Sequence, residues 1–376
     1  MSTELTAAEE LKFELLATGI ALAPSAIEHI AEANGDRPLT PADYASTSGV
    51  ILELDDDVWV NAPIARYNPN FVGDSPYELL ADGGRLRVQG GERGSAARFW
   101  LPPAWHDTSN ERGEPFNSYG FTHTDRVRVS PVEGCAITCR FCDLPYEFRY
   151  RTKRIEGLVE TARVAIDDPI QPAAHILISG GTPRPEDYDY LNASYEAVAT
   201  AFPGLAIDVM MVPMEGLLDP RWLAEIGISE LSINLEIYNR DLARTIMPRK
   251  FQQGLEHYLD FLTEAAAVFG GERVRSMLMV GLEPMEDTLA GVEAIATRGC
   301  TPVLSPFRPD PSTPLRDMAP PSASAMRETY LRAYEITQRY GVRLGPSCIP
   351  CAHNTLTFST SGSGDADVRH GHPAMV

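Results

Sequence analysis

The first 120 residues combine one helical pattern with a series of short strand patterns. Thr6 and Glu9 have the spacing of a capping box at the start of a helix that carries leucines along one face. Between residues 49 and 101, apolar residues alternate or cluster in short runs separated by turns rich in Asp and Gly, as in β-strands. Residues 102–120, rich in Pro, Asn, Ser and Gly, are typical of a linker. Residues 1–120 are therefore predicted to be an α+β accessory region.

After residue 120, an apolar strand, a loop and a helical stretch follow one another repeatedly. The predicted strands cover residues 126–130, 175–179, 206–212, 230–235, 274–280 and 302–305, and the predicted helices cover residues 155–167, 188–201, 252–268, 288–297 and 322–340. Alternating β and α units imply parallel strands joined by right-handed crossovers. The predicted fold class is α/β, with residues 121–340 forming a partial (β/α)6 TIM-like barrel. In such a barrel the ligand-binding loops follow the carboxyl ends of the strands.

The last part of the chain differs in composition from the predicted barrel. Residues 341–358 form a separate segment that contains a C-x2-C motif. Residues 359–376 are rich in Gly, Ser and Asp and are predicted to be disordered.

Composition and charge limit the classes of partner. The 376 residues are 44% hydrophobic and 22% charged, as in ordinary globular proteins, and carry a net charge of −20. This charge repels phosphate backbones and anionic lipid surfaces, so a small-molecule substrate is expected and neither nucleic acid nor membrane. The sequence shows no basic, apolar leader and no apolar run of about 20 residues, which favours a cytoplasmic location.

Three cysteines on one short loop carry the strongest chemical signal. Cys135, Cys139 and Cys142 have the spacing C-x3-C-x2-C directly after a short apolar strand. Three thiolates can hold three irons of an iron–sulfur cluster and leave the fourth iron open to a ligand that is not protein. A structural zinc site usually combines two cysteine pairs, and no second pair lies nearby in sequence.

Together with the strand pattern, this loop resembles the radical S-adenosylmethionine (radical SAM) superfamily over residues 122–315. The resemblance implies a [4Fe-4S] cluster on the three cysteines and S-adenosyl-L-methionine chelated by the open iron. One electron, from a flavodoxin- or ferredoxin-type donor, would cleave the sulfonium to methionine and a 5′-deoxyadenosyl radical. Phe141 matches the family position whose backbone lies against adenine.

A glycine pair follows the second predicted strand. Gly180 and Gly181, with Thr182 after them, resemble the family motif that receives the methionyl amine. Glycine allows backbone carbonyls to approach an ammonium group closely because no Cβ intervenes. In isolation the pair would indicate an ordinary turn; its position one strand after the cysteine loop favours a cofactor role.

The fourth predicted strand alternates polar and apolar residues. Ser232, Asn234 and Glu236 therefore share one face, which in the predicted barrel is the interior. A strand facing solvent would show the same pattern. In the radical SAM superfamily this strand contacts the ribose and the methionyl carboxylate. Lys250, next to Arg249, could add a cation for that carboxylate, or the two residues could simply begin a solvated helix.

Arg308, in the loop after the sixth predicted strand, is a candidate to bind an anionic group of the substrate. A guanidinium pairs with carboxylate or phosphate through two parallel hydrogen bonds. His353 and Asn354 are further candidates for substrate contact, because a turn after the last helix could bring them to the barrel.

The remaining cysteines, Cys300, Cys348 and Cys351, are the number that would hold a second iron–sulfur cluster with one open iron. Cys300 precedes the sixth strand, and a sharp turn after the last helix could return the C-x2-C motif to the same, amino-terminal end of the barrel. This auxiliary cluster is the preferred interpretation. A seventh strand would instead separate the motif from Cys300 and leave a thiol pair or structural cysteines.

The predicted function is a radical SAM enzyme that abstracts hydrogen from a small polar metabolite, with sulfur insertion or exchange from the auxiliary cluster as the preferred outcome. Rearrangement, elimination or oxidation, with the second cluster as electron acceptor or substrate ligand, is the alternative within the same class. An iron–sulfur sensor or scaffold without enzymatic activity is the alternative of another class. It would need neither the glycine pair nor the polar strand.

Overall fold

The computed structural model describes residues 4–44, 49–91, 93–361 and 374–376. The elements of the amino-terminal region are α1 (Ala7–Thr18), β1 (Ala21–Leu22), α2 (Pro24–Ala33), β2 (Gly49–Leu54), β3 (Val58–Pro63), β4 (Tyr77–Asp82), β5 (Arg85–Gly90) and β6 (Ser95–Phe99). The strands form one sheet in the order β1-β4-β5-β6-β2-β3. The predicted capping box is present, because Thr6 and Glu9 each accept a hydrogen bond from the backbone N–H of the other.

The barrel region begins with β7 (Gly120–His123) and β8 (Arg126–Val129). It continues with β9 (Val132–Glu133), α3 (Leu144–Glu147), β10 (Arg151–Thr152), α4 (Ile155–Ile166), β11 (His175–Ser179), α5 (Tyr188–Ala201), β12 (Ala206–Met210), α6 (Pro220–Glu225), β13 (Glu230–Ser232), α7 (Arg240–Ile246), α8 (Pro248–Gln252), α9 (Leu255–Phe269), β14 (Val274–Val280), α10 (Met285–Ala296), β15 (Thr301–Pro306) and α11 (Ala323–Tyr340).

The barrel sheet has the order β15-β14-β13-β12-β11-β8-β7. Its six strands from β8 to β15 pair in parallel, and only β7 is antiparallel, to β8. Alternating apolar side chains of these strands pack under the surrounding helices in one continuous core. The predicted fold, a partial (β/α)6 TIM-like barrel with an α+β accessory region, is confirmed. The stretch predicted as a linker is instead folded, since Trp105 is buried and its backbone N–H donates to Asp168.

The carboxyl-terminal segment returns to the barrel. The Gly345 N–H donates to Pro302 O at 2.7 Å and the Leu356 N–H donates to Leu304 O at 2.8 Å, so the segment lies along β15. The segment contains a 3₁₀ helix at Pro350–Asn354, which contacts β3 of the amino-terminal region.

The prediction of a disordered tail is wrong for the last residues. Met375 forms a β-bridge with Trp100, and the backbones of Val376 and Phe99 exchange hydrogen bonds. Residues 362–373 of the predicted tail lie outside the described part of the chain. Among the helices that the structure describes, none is both long and apolar enough to span a membrane.

Candidate active site

The cysteine loop follows β9 and opens onto a cavity at the carboxyl ends of the barrel strands. Cys135, Cys139 and Cys142 all line this cavity. The loop turns sharply at Gly134, which has a φ of 67°; a Cβ there would meet Phe148 O at 2.8 Å. The sequence therefore brings the three thiols together at the end of the barrel where ligands bind.

The environment of the thiols suits a metal cluster. Burial raises the pKa of Cys139 to about 12 and also raises the pKa of Cys142. Without a cation these thiols are neutral at pH 7, and iron ions supply the positive charge that ionises them. The chemistry and position of the donors therefore fit the [4Fe-4S] cluster that the C-x3-C-x2-C spacing predicts.

The glycine pair packs directly on the cysteine loop. The Thr182 N–H donates to Cys135 Sγ at 3.2 Å, and the Ala136 N–H donates to Thr182 O at 2.9 Å. A Cβ on Gly181 would lie 1.7 Å from Gly134 O, so no other residue fits here without moving the loop. Gly180, Gly181 and Thr182 all line the cavity. The motif therefore has a packing role that the sequence did not indicate.

The walls of the cavity mix apolar groups with a few polar ones. Besides the residues already described, it is lined by Ile137, Phe141, Leu144, Pro145, Ser179, Met210, Met211, Val212, Asn234, Glu236 and Lys250. Phe141, whose backbone is predicted to lie against adenine, has a half-buried side chain beside the thiols. Apolar walls with few polar groups are typical of small-molecule sites.

Glu236 and Lys250 form a buried ion pair at the cavity wall. Their Nζ–Oε2 distance is 2.6 Å and both side chains are 9% exposed. Burial opposes the charge of Lys250, but Glu236 and the nearby Cys139 raise its pKa above the ordinary value. Glu236 has a φ of 66°, a left-handed conformation that is uncommon for a residue with a Cβ. The Asn234 side chain accepts a hydrogen bond from the Met277 N–H at 3.2 Å.

Ser232 does not line this cavity, so the structure does not support its predicted contact with the cofactor. Its hydroxyl lies 3.3 Å from both carboxylate oxygens of Asp208 and accepts a hydrogen bond from Arg275. Arg275 also forms ion pairs with Asp208 and Glu230. The polar face of β13 thus lies inside the barrel as predicted, but Ser232 belongs to a network of ion pairs around Arg275, nearer the amino-terminal end of the barrel than the cavity.

The predicted substrate residues lie away from the cysteine cavity. Arg308 is buried and donates to Asn61 O, in β3, at 3.3 Å. His353 is buried, with Nδ1 2.9 Å from Pro350 O, and burial lowers its pKa to about 3. The backbone carbonyl of Asn354 accepts from Ser305. None of the three lines the cavity among the residues that the structure describes, so the structure does not support their predicted role.

Cys300 is not close to the C-x2-C motif, so its predicted place in an auxiliary cluster is wrong. Its Sγ is 3.6 Å from Leu262 O, in α9, and it is completely buried between this helix and the sheet. Cys348 and Cys351 instead lie at the other edge of the sheet, beside Asp125 and His175 at the start of β8 and β11. Cys300 fills the apolar core.

Arg128 is a buried arginine near the cysteine loop that the sequence motifs do not indicate, although it is not among the residues that line the cavity. Val127 and Val129 of β8 are fully buried in the core, so the alternating Arg126 and Arg128 face the barrel interior. Arg128 lies close enough to Asp143 and, more weakly, to Cys142 for their charges to interact. Its Nε is buried, and no hydrogen-bond partner for it is found within the described residues. The period-two pattern of β8 was the signal that could have identified it.

A partial α/β barrel that presents three thiols at the carboxyl ends of its strands is suited to hold an iron–sulfur cluster. Residues 129–293 match the sequence model of the Radical SAM superfamily. This domain belongs to that superfamily.

The chain is also similar to individual proteins. It is 29% identical over 122 residues to bacteriochlorophyllide c C-7(1)-hydroxylase of Chlorobaculum limnaeum, a match covering 32% of this chain and 30% of that protein. The maturase HydG from Carboxydothermus hydrogenoformans is 17% identical, with a TM-score of 0.45 over 66% of this chain and 61% of HydG. A radical SAM methyltransferase from Sphaerobacter thermophilus is 16% identical, with a TM-score of 0.46 over 80% of this chain and 81% of that one.

Proposed function

We propose that this chain is a radical SAM enzyme that abstracts a hydrogen atom from a small anionic metabolite. The observation that carries the proposal is the cavity shared by the three loop thiols, the glycine motif and the Glu236–Lys250 pair. When bound, a [4Fe-4S] cluster and S-adenosyl-L-methionine supply a 5′-deoxyadenosyl radical, given one electron from a flavodoxin- or ferredoxin-type donor. An iron–sulfur sensor would not need such a cavity.

The residues of the chain bind and orient the cofactor in this proposal. Cys135, Cys139 and Cys142 would hold the cluster. Glu236 and Lys250 form a buried ion pair, and each could bind one end of the amino acid part of the cofactor. Glu236 could bind the ammonium group, and Lys250 could bind the carboxylate. Ile137, Phe141 and the methionines of the wall would exclude water from the reacting groups.

The structure favours an anionic group on the substrate. The guanidinium of Arg128 extends into the barrel interior near Cys142, and its Nε makes no hydrogen bond within the described part of the chain. The Asp143 carboxylate offsets part of the charge of Arg128, and the buried Nε still has a donor that an anionic group could accept. Arg128 therefore takes the role that the sequence suggested for Arg308.

The preferred outcome changes from sulfur insertion to oxidation of a C–H position, with the sulfonium as net oxidant: after hydrogen abstraction the substrate radical would return one electron to the cysteine-loop cluster, and water would supply hydroxide and release a proton. Sulfur insertion depended on a second cluster held by Cys300, Cys348 and Cys351, and Cys300 is directed at α9 instead. Oxidation was the alternative within the same class, and the similar protein from Chlorobaculum limnaeum is a hydroxylase. Rearrangement and elimination remain the second candidate, because neither reaction requires an electron acceptor.

The proposal is tested with reduced, reconstituted enzyme and metabolite extract separated by anion exchange. Formation of 5′-deoxyadenosine is measured without extract and with each fraction. We expect a slow basal rate that rises with one anionic fraction, in which a metabolite is consumed. Stimulation only by the cationic fraction would contradict the substrate class, and the absence of any 5′-deoxyadenosine would contradict the enzymatic activity.

A further inference from the structure

A second cluster of metal-binding side chains lies at the opposite end of the barrel from the cysteine loop. Asp125, His175, Cys348 and Cys351 each offer one donor atom, and the four atoms all lie within 4.8 Å of one another. Asp125 and Cys351 are buried, and His175 and Cys348 are mostly buried. Two thiols, an imidazole and a carboxylate converge here from three separate segments of the chain.

The distances between the donor atoms have the lengths expected around one tetrahedral ion. Asp125 Oδ1 lies 3.3 Å from Cys348 Sγ, 3.5 Å from Cys351 Sγ and 3.4 Å from His175 Nε2, and Cys351 Sγ lies 3.4 Å from His175 Nε2. Bonds of about 2.0–2.3 Å from zinc to these ligand types give tetrahedral edges of about 3.3–3.8 Å. The side chains therefore already have the spacing of a coordination shell.

The fold itself creates this cluster. Asp125 immediately precedes β8, and His175 is the first residue of β11, which pairs in parallel with β8. His175 and Ser179, at the two ends of β11, are separated by about 13 Å at the usual rise of a strand. Ser179 lines the cysteine cavity, so the two sites lie at opposite ends of the same strand.

We propose that Asp125, His175, Cys348 and Cys351 bind one zinc ion, in a structural site separate from the radical SAM centre. Two thiolates, one imidazole and one carboxylate complete a closed tetrahedral shell, which is the form of structural zinc sites. In a [4Fe-4S] cluster each thiolate binds a different iron, so the cube separates its ligands. Donors as close as these fit a single ion better.

The charge around the cluster is consistent with this assignment. Zinc with two thiolates, one carboxylate and a neutral imidazole has a formal charge of −1. Arg126 lies close enough to Cys348 and Cys351 for their charges to interact, and it is the residue directly after Asp125. The arginine would offset the excess negative charge of the loaded site.

Zinc at this position would close the bottom of the partial barrel. The segment that carries the two cysteines is held to β15 by the hydrogen bond from Gly345 to Pro302. The zinc would attach the same segment to β11 and β8, which are four and five strands away from β15 in the sheet order. One ion would thus connect both sides of the open barrel through the carboxyl-terminal segment, independently of any substrate chemistry.

The test uses the full chain with Cys135→Ala, Cys139→Ala and Cys142→Ala, so that the cysteine loop contributes no metal. After expression with both zinc and iron supplied, the metal content is measured by mass spectrometry. We expect about one zinc and no iron per chain. Iron with inorganic sulfide would overturn the proposal in favour of an auxiliary cluster, and metal-free protein with two reactive thiols would overturn it in favour of a thiol pair.

Further variants of this triple-alanine protein test the ligands. Cys348→Ser with Cys351→Ser, and separately His175→Ala, should lose the zinc, whereas the matched Cys300→Ser variant should keep it. Should the ligand variants fail to fold, cobalt substitution of the triple-alanine protein still tests whether thiolates bind the metal. Tetrahedral thiolate coordination predicts a sulfur-to-cobalt charge-transfer band, and its absence would contradict the ligand set. Because no readout involves S-adenosyl-L-methionine, failure here leaves the proposed function unaffected.

Discussion

Glu236 combines three properties that rarely occur together in one residue. It is buried, it forms an ion pair with Lys250, and its backbone is left-handed. The backbone is fixed by hydrogen bonds between Glu236 and β14, from Glu236 N–H to Met277 O and from Met279 N–H to Glu236 O. Strained residues that the surrounding fold holds in place are concentrated at functional sites.

The first prediction concerns the charge of this residue. Glu236→Gln keeps the size of the side chain but removes a charged partner for both Lys250 and the cofactor. We expect the Kd for S-adenosyl-L-methionine to rise about tenfold or more, with the iron of the cysteine loop unchanged. The Kd is measured by equilibrium dialysis of reconstituted protein.

A matched control is available on α8, the helix that carries Lys250. Arg249 is exposed beside the buried Lys250, so Arg249→Gln should bind the cofactor like the parent protein. Asn234→Ala should weaken binding in the same direction as Glu236→Gln, because Asn234 also lines the cavity. Parent-like affinity in both cavity variants would show that this wall does not contact the cofactor.

The second prediction concerns Arg128. Arg128→Met should keep the basal formation of 5′-deoxyadenosine but lose the stimulation by the anionic metabolite fraction, since the cation would bind substrate and not cofactor. Arg151→Met, at an exposed arginine of β10, is the control and should respond like the parent protein. Equal stimulation of Arg128→Met and the parent would remove Arg128 from the substrate site.

At the scale of elements, the contact between the glycine motif and the cysteine loop places the thiols. A Cβ at Gly181 would meet Gly134 O at 1.7 Å, whereas a Cβ at Gly180 would come no closer than 3.2 Å to any other atom, at Val132 O. We therefore expect Gly181→Ala to displace the loop and reduce the iron bound by reconstituted protein by more than half. Gly180→Ala should retain most of it. Equal iron content in the two variants would show that this packing does not position the loop.

The strands and their order could be predicted because β and α patterns alternate regularly from residue 126 onward. The cysteine loop could be predicted because all its ligands lie within eight residues. Ser232 could not be assigned, because period-two alternation gives the face of a strand but not the depth at which each residue lies in the barrel.

Sites assembled from distant segments were harder to predict. Asp125 and His175 meet Cys348 and Cys351 only because the chain turns at Gly345, which has a φ of 83°. Local patterns do not contain such long-range contacts. The sequence placed the C-x2-C motif at the amino-terminal end of the barrel but combined it with Cys300, the remaining residue of the same type.

In the whole molecule, Lys12 connects the first helix to the carboxyl-terminal segment. Its fully buried Nζ donates to Ala352 O at 3.1 Å and to Thr357 O at 2.8 Å, and it lies 5.0 Å from the ring centre of Phe358. Burial lowers the pKa of Lys12 from 10.5 to about 7. The accessory region and the end of the chain therefore depend on a lysine that loses its proton easily.

This lysine predicts a pH dependence of stability. Between pH 7 and 10.5 the unfolded chain keeps the proton on Lys12 more than the folded chain does, so the contribution of Lys12 to stability rises with pH. The unfolding free energy of the parent relative to Lys12→Met should increase by about 2 kcal/mol from pH 7 to pH 9. Chemical denaturation of both proteins measures it. A difference that is constant or falls with pH would contradict the buried, easily deprotonated lysine.

The most direct test of the radical SAM assignment is the reductive cleavage of S-adenosyl-L-methionine by the purified chain. Reconstituted parent protein, reduced with dithionite without oxygen, should convert the cofactor to 5′-deoxyadenosine and methionine in equal amounts, quantified by liquid chromatography and mass spectrometry. Cys135→Ala, Cys139→Ala and Cys142→Ala should each abolish the conversion, because one missing thiolate opens the cluster, whereas Cys300→Ser should retain it. Parent-like cleavage in any of the three loop variants, or none in the parent protein, would contradict the assignment.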